Sequence, residues 1–484
     1  MARKYRNSTE VADLHGVPIY MHDVVDAALA GRLNLFLQGD TGAGKTQLAK
    51  DAMGYFGAGV GNGDMADQVR ERYGVTLDSK AHLAIAPTRY FQGDKTLFVL
   101  GRNDMDTREL FQQINLGKLH QRRAHNLEPL VDPENGEVGW YYPRVDDRGS
   151  FVYQKLKPEQ VGKVRRSLDS LDDSSDSIRE LTAKVNSELI VVDELPNCVP
   201  AVRAQLFNLF DGFIEIQGKP YPIGNGYSVG IATGNIGQQF TESANDLGRA
   251  IKDRMHVIVD VDYFFPKSSD TLEILAGNIN PRVEFGDRDE AIGQNIREKY
   301  KEVSKRPVPL SKLIIANYLL HGLDYCNAGQ SKRKMKEAWP NNVQNNQQGS
   351  DEALVLPVSP RAAKSIITLS QCLDDIALAR GAKPEEVARG ALSSMMTAYR
   401  LVSTNSGVLN EAVVRNVYEG NRYAAMDALA TTTQQQFAQK EGEIMAGLEM
   451  VKKGKKDARV MDLFTGRWKF MQDTLDSLLV NGGK

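Results

Sequence analysis

The sequence predicts an α/β fold, a parallel sheet flanked by helices, followed by an all-α second half. Three observations lead there. Short apolar runs ("LNLFLQ", "TLFVLG", "ELIVVD", "VGIATG") punctuate the first 265 residues. They are nearly continuous in apolar residues, as strands of a parallel sheet covered on both faces are. After Phe265-Pro266 the strand signals largely stop, and apolar residues recur at i, i+3, i+4 spacing.

At 484 residues the chain is long enough for two to four domains of about 150 residues each. With 41% apolar and 25% charged residues and a net charge of −2, it has no global basic field to draw it to nucleic acid or a membrane. Cys198, Cys326 and Cys372 are far apart, odd in number and without a CxxC pair. Neither a disulfide framework nor a zinc site is expected, and a reducing compartment is. Basic residues near the start have no apolar run behind them, unlike a secretory signal. No stretch approaches the roughly 18 apolar residues that span a bilayer, so no membrane is expected and the cytoplasm is the expected location.

The first strand comes from Leu33, Leu35 and Leu37 alternating with Asn34, Phe36 and Gln38, and the good helix formers Thr46 to Met53 follow the loop after it. Between strand and helix, Gly39, Asp40, Thr41, Gly42, Ala43, Gly44, Lys45 and Thr46 fit GxxxxGK[ST] without a mismatch, in the strand–loop–helix context the motif requires. Glycines let successive N–H groups turn inward around a phosphate at the positive end of the helix. Lys45 is expected to neutralise β- and γ-phosphate charge, and the Thr46 hydroxyl to ligate Mg²⁺. Gln47 completes the expected cofactor-binding set.

Leu189 to Val192 form a continuous apolar run that ends in Asp193 and Glu194. Ligands sit at the carboxyl ends of strands in open α/β sheets. Asp193 is expected to hold Mg²⁺ through water, and Glu194 to orient and polarise an attacking water. No [NT]KxD guanine-reading motif occurs, which favours ATP over GTP. Val229 to Thr233 form another strand, ending at Asn235. A polar residue there can stand between the two nucleotide-facing strands and position the water.

"VVDELPNCVPAVRAQLFNLFDGFIEIQGKPYPIGNGYSVGIATGNIG" resembles the MoxR-like branch of the AAA+ ATPases. There an Asp-Glu strand, a proline-containing helix start, a hairpin carrying "G…YP" and an "IATxN" strand occur in this order. "AIKDRMHVIVDV" and "VSPRAAKSIITLSQ" are similar to two further segments of that family. The resemblance covers residues 30–56, 96–116, 186–265 and 355–375. It implies that Asn235 positions the hydrolytic water and that Arg254 is an arginine finger for a neighbouring subunit, with Arg249 in reserve. It also implies that Arg361 is a lid arginine reading the γ-phosphate. The expected protein is an ATP-hydrolysing hexameric ring, with ATP and Mg²⁺ as cofactors. It would remodel or activate a partner protein or complex, a von Willebrand A-domain protein among the candidates. A nucleic-acid-dependent motor on the same core is the alternative. Two features depart from the family: Pro196-Asn197 follow Asp-Glu-Leu, and Lys45 and Asp193 are unusually far apart.

The distance comes from insertions, about 57–95 and 117–186, within a core spanning 1–265. "TLFVLGRNDMDTRELFQQINL" is expected to be the second strand and its following helix. "VDPENGEVGWYYPRVDDRGSFVYQKL" reads as hairpins, with Trp140, Tyr141, Tyr142 and Tyr153 as candidate partner contacts. "SLDSLDDSSDSIRE" reads as an exposed acidic loop with a helix start, and "HQRRAH", "KVRRS" and "VKKGKKDAR" as basic surface. Residues 266–418 form the helical lid, with a helix start at Lys383-Pro384. Within it, Asn327 to Asp351 is polar enough to read as a mobile loop. Residues 419–484 form the helical C-terminal extension.

Overall fold

The structure, a computed structural model, describes residues 7–56, 95–102, 110–114, 128–131, 138–145, 151–161, 179–181, 183–216, 219–235, 254–276, 290–326, 331–335, 339 and 351–480. The first insertion (57–94), Arg249, the basic stretches at 120–125 and 163–167, and the acidic segment up to Ile178 lie outside these residues. Two compact units form, one from residues 1–105 and 186–484, the other from 106–185.

In the larger unit, β1 (Glu10–Leu14) and β2 (Val17–Tyr20) make a hairpin. His15 and Gly16 turn it at φ of 58° and 78°, the left-handed conformation that a tight two-residue loop needs. Then come α1 (Met21–Ala30), β3 (Leu35–Gln38), α2 (Lys45–Gly54), β4 (Thr96–Leu100) and β5 (Leu189–Asp193). After these lie α3 (Pro200–Phe210), a hairpin of β6 (Phe213–Ile216) and β7 (Lys219–Pro222), β8 (Val229–Gly234) and β9 (Val257–Asp260).

Five of these strands form one parallel sheet in the order β9-β3-β8-β5-β4. Every residue of β3, β5 and β8 is buried, which accounts for their apolar character on both faces. At the entry edge of the sheet, Asn34 replaces missing ladder bonds. Its Nδ2 donates to the Phe210 and Arg254 carbonyls (2.7 and 3.1 Å), and its Oδ1 accepts from Gly230 N at 2.8 Å.

Beyond β9 the described residues contain helices and no further strand: α4 (Ser268–Ala276), α5 (Glu290–Lys305), α6 (Leu310–His321), α7 (Pro360–Ala379), α8 (Pro384–Arg389), α9 (Ala391–Ser403), α10 (Glu411–Val417), α11 (Arg422–Lys452) and α12 (Phe470–Val480). Ser359, Asn410 and Asn421 cap α7, α10 and α11 by accepting backbone N–H groups from the first turn. The N-terminal segment packs on this helical half. Arg380 pairs with Asp23 at 2.5 Å, and the buried Asp374 takes a bond from Lys312 Nζ at 2.7 Å and meets His15 Nε2 at 3.1 Å. Tyr318, Phe437, Trp468 and Phe470 pack ring against ring, and Arg467 pairs with Asp351, so the C-terminal extension closes onto α6.

Two expectations are corrected. Within Asn327 to Asp351, Lys332–Met335 form a helical turn, and Lys332 is only 1% exposed. Its Nζ donates to the carbonyls of Asp351 and Val355 (3.0 and 2.8 Å), and Trp339 Nε1 donates to the Glu352 carbonyl at 2.8 Å. Composition registers these side chains as polar, whereas the fold uses a long apolar stem with a donor at its tip to satisfy buried carbonyls. Burial also lowers the Lys332 ammonium to about 8. In the smaller unit, the helix expected after β4 is limited to Leu110 and Phe111 among the described residues. Gln112–Ile114 instead pair antiparallel with Arg179–Leu181, where a long-range partner overrides local propensity.

The expected hairpins are present there. Glu128–Val131, Val138–Val145 and Phe151–Lys155 form a three-stranded antiparallel sheet. Trp140 is half-buried, while the side chains of Tyr141, Tyr142 and Tyr153 lie outside the described residues. No helix among the described residues is long and apolar enough to cross a membrane.

Candidate functional site

The loop after β3 turns through Gly39, Gly42 and Gly44, at φ of 153°, 89° and 86°. Gly44 is the last residue before α2, so the loop delivers the chain to the N-terminus of a three-turn helix. A Cβ on Gly42 would meet nothing within 4 Å, so its glycine is required by the positive φ and not by crowding.

Four expected site residues converge where β3, β8 and β5 end. Lys45 Nζ donates to the carbonyls of Gly39 and Asp40 (2.8 and 2.6 Å) and to Asn235 Oδ1 at 2.8 Å. Asn235 Nδ2 donates to Thr41 Oγ1 at 3.2 Å. Thr46 Oγ1 donates to Asp193 Oδ1 at 2.9 Å. Because β8 lies between β3 and β5, Asn235 stands between the phosphate loop and the acidic strand. Burial lowers the pKa of Lys45, against the opposing pull of Asp262, Asp40, Asp193 and Glu194.

The donor set fits Mg²⁺. Thr46 Oγ1 could ligate the ion directly, and the Asp193 carboxylate, 2.9 Å from it, could hold a water of the ion's shell. Both are hard oxygen donors, and the remaining positions suit water and phosphate oxygens. The inward-turning glycine loop at a helix N-terminus likewise fits a phosphate chain.

Glu194 is exposed and sits at φ 58°, a left-handed conformation sparsely populated for a residue with a Cβ. Asn197 Nδ2 donates to its Oε2 at 2.8 Å. The Pro196-Asn197 departure thus has a structural account. Leu195–Asn197 form a 3₁₀ turn, and Pro196 packs on β8 where a Cβ on Gly234 would come within 2.3 Å of its ring. Gly101 at the end of β4 donates to the Asp193 carbonyl at 2.7 Å and closes the other side.

Other expected residues lie apart from this cluster. Gln47 turns along α2 and donates to Asp51 at 2.8 Å, away from the loop. Arg254 is at the entry edge of β9, opposite the phosphate loop. Its Nε donates to Asp211 Oδ2 at 2.9 Å, and its guanidinium lies 5.0 Å from the Phe207 ring centre. Arg361 is exposed in the first turn of α7, a turn whose Ser359 and Ala362 line a cavity with Met255 and His256 at that same entry edge.

Two residues absent from the sequence-based set belong to the site. Asp262 Oδ2 accepts from Asp40 N at 2.6 Å, and burial raises its carboxyl above the usual range. It follows β9 at the carboxyl end of the sheet, so the rule that found Asp193 could have found it. Thr233 Oγ1 donates to Asp193 Oδ1 at 2.5 Å and accepts from Glu194 N at 3.1 Å. A lone hydroxyl in the apolar run "VGIATG" was its signal.

No family model matches the chain, and no curated protein is similar to it. Among solved structures it is similar to a "putative ATPase" from Cytophaga hutchinsonii ATCC 33406, at 12% identity with a TM-score of 0.43, covering 84% of this chain and 88% of that one.

Proposed function

We propose that this chain is an ATP-hydrolysing ring ATPase of the MoxR-like AAA+ type, which remodels or activates a partner protein or complex. The observation that carries the reading is the convergence of Lys45, Thr46, Asp193 and Asn235 from the ends of three adjacent parallel strands. In this reading, the N–H groups of Gly42 to Thr46 wrap the phosphates, and Lys45 exchanges its loop carbonyls for phosphate oxygens. Thr46 and Asp193 hold Mg²⁺, which when bound neutralises charge on the β- and γ-phosphates. Glu194 takes the proton of the attacking water, and Asn235 orients that water.

Arg254 acts on a neighbouring subunit, because it lies at the wrong end of its own sheet to reach its own phosphate loop. Hydrolysis then requires an oligomer, for which a hexameric ring is the proposed form. Arg361 would read the γ-phosphate only after the helical half moves, and that motion is the proposed mechanical output. A von Willebrand A-domain partner remains a proposal from the family resemblance.

The test is calorimetric titration of ATP into the native chain and into Lys45→Ala. Loss of a charged donor to the phosphates should weaken binding by roughly 10–100-fold or more. Near-native affinity in the variant overturns the assignment of the loop.

A further inference from the structure

Thr233 stands on β8, between the strand that carries the phosphate loop and the strand that carries the acidic pair. It is 1% exposed, so its hydroxyl must find partners within the protein. A threonine hydroxyl has one proton to give and lone pairs to receive. Here the proton goes to Asp193 Oδ1, and a lone pair accepts the N–H of Glu194. One side chain therefore touches both members of the acidic pair, at the carboxylate of one and the backbone of the other.

We propose that Thr233 is a positioning residue that fixes the Asp193 carboxylate for the metal and holds the Glu194 backbone in its left-handed conformation. The inference rests on the reading of Asp193 as the acid that holds Mg²⁺. Two hydroxyls, Thr233 on β8 and Thr46 in the first turn of α2, converge on Oδ1 of Asp193, so two independent elements fix the position of that oxygen. Threonine is β-branched and stiff about its first side-chain torsion, so the direction of its hydroxyl is set by the strand itself. The bond from Glu194 N offsets part of the cost of φ 58° at a residue with a Cβ. Asp193 and Glu194 are thereby tied to β8, the strand that leads directly into Asn235.

A purely structural threonine replaced by valine would lower stability, because Glu194 N loses its acceptor, but would leave the response to Mg²⁺ unchanged. A positioning threonine would not. The experiment measures binding of the non-hydrolysable analogue adenylyl imidodiphosphate, once in EDTA and once across a Mg²⁺ titration, in the native chain, Thr233→Val, Thr233→Ala and Thr233→Ser. Groups that orient a metal ligand are typically worth 10–100-fold in metal affinity. The Mg²⁺ concentration giving half of the affinity gain should rise by roughly that factor in the valine and alanine variants, with affinity in EDTA unchanged. Serine, which keeps the hydroxyl, should restore most of the native value. A native Mg²⁺ response in either hydroxyl-free variant, or equal loss in valine and serine, overturns the role of Thr233 alone. Absence of any Mg²⁺-dependent gain in the native chain overturns the proposed function as well.

Discussion

Replacing Arg254 with alanine should remove most ATP turnover while sparing both nucleotide affinity and the fold. The carbonyl of Arg254 is held by Asn34, five residues before Gly39 along β3. At about 3.3 Å per strand residue, some 16 Å of sheet separate it from its own phosphate loop, more than an arginine side chain spans. Its local contacts include an ion pair with Asp211, the two side chains 26% and 32% exposed, and a stack on Phe207. Such a pair contributes about 0–1 kcal/mol and an exposed cation–π contact about 0.5–1 kcal/mol. Losing these two contacts should cost about 2 kcal/mol of stability or less, and a urea melt of the variant separates that loss from the loss of turnover. Arginine fingers are worth about 10³–10⁵ in rate in phosphoryl-transfer enzymes. The assay is phosphate release by Arg254→Ala, by Lys45→Ala and by mixtures of the two, with ring formation followed by size. Each variant alone should be inactive, and mixtures should recover activity, because an intact Lys45 site then meets an intact Arg254. Absence of recovery in demonstrably mixed rings refutes action across an interface and makes Arg249 the next residue to test.

Glu194→Gln should bind ATP with native affinity and hydrolyse it very slowly, since the water loses its base while Asp193 and Thr46 still hold Mg²⁺; a native rate of phosphate release would place the base elsewhere. Gly234→Ala should lower the urea midpoint by an amount equivalent to about 1–3 kcal/mol, because the added methyl collides with the Pro196 ring; an unchanged midpoint would show that the turn after β5 shifts freely. Lys332 gives a pH test. Its folded pKa of about 8 lies below the usual lysine value of 10.5, so between these the unfolded chain binds more protons and stability rises with pH. The stability of the native chain relative to Lys332→Met should grow by about 2 kcal/mol from pH 7 to 9.5, and a flat difference would mean that Lys332 is not buried in this way.

The strands were legible in the sequence because burial on both faces leaves a continuous apolar run, as in Leu189 to Val192. The loop was legible because phosphate geometry demands glycines and a lysine at fixed spacing. Thr233 and Asp262 were legible only in position, as polar residues in or after an apolar strand, since a hydroxyl or carboxylate alone carries no sign of the distant partner it will meet. The same holds for Lys332, whose acceptors are backbone carbonyls with no side-chain signature. The paired strands at Gln112–Ile114 and Arg179–Leu181 were hidden for a related reason, because pairing is a property of two segments and a helical reading inspects one.

The bond between His15 and Asp374, and that between Asp23 and Arg380, close loops of 359 and 357 residues. On the ribosome, the hairpin and first helix are made more than 350 residues ahead of these partners. Until then the hairpin and first helix, whose Leu14, Ile19 and Met21 are wholly covered in the finished protein, lack the cover that α7 gives them. Synthesis at about 5–20 residues per second leaves that apolar surface bare for roughly 20–70 seconds. Fragments ending before residue 374 should therefore aggregate more readily than the full chain, which sedimentation of the two checks.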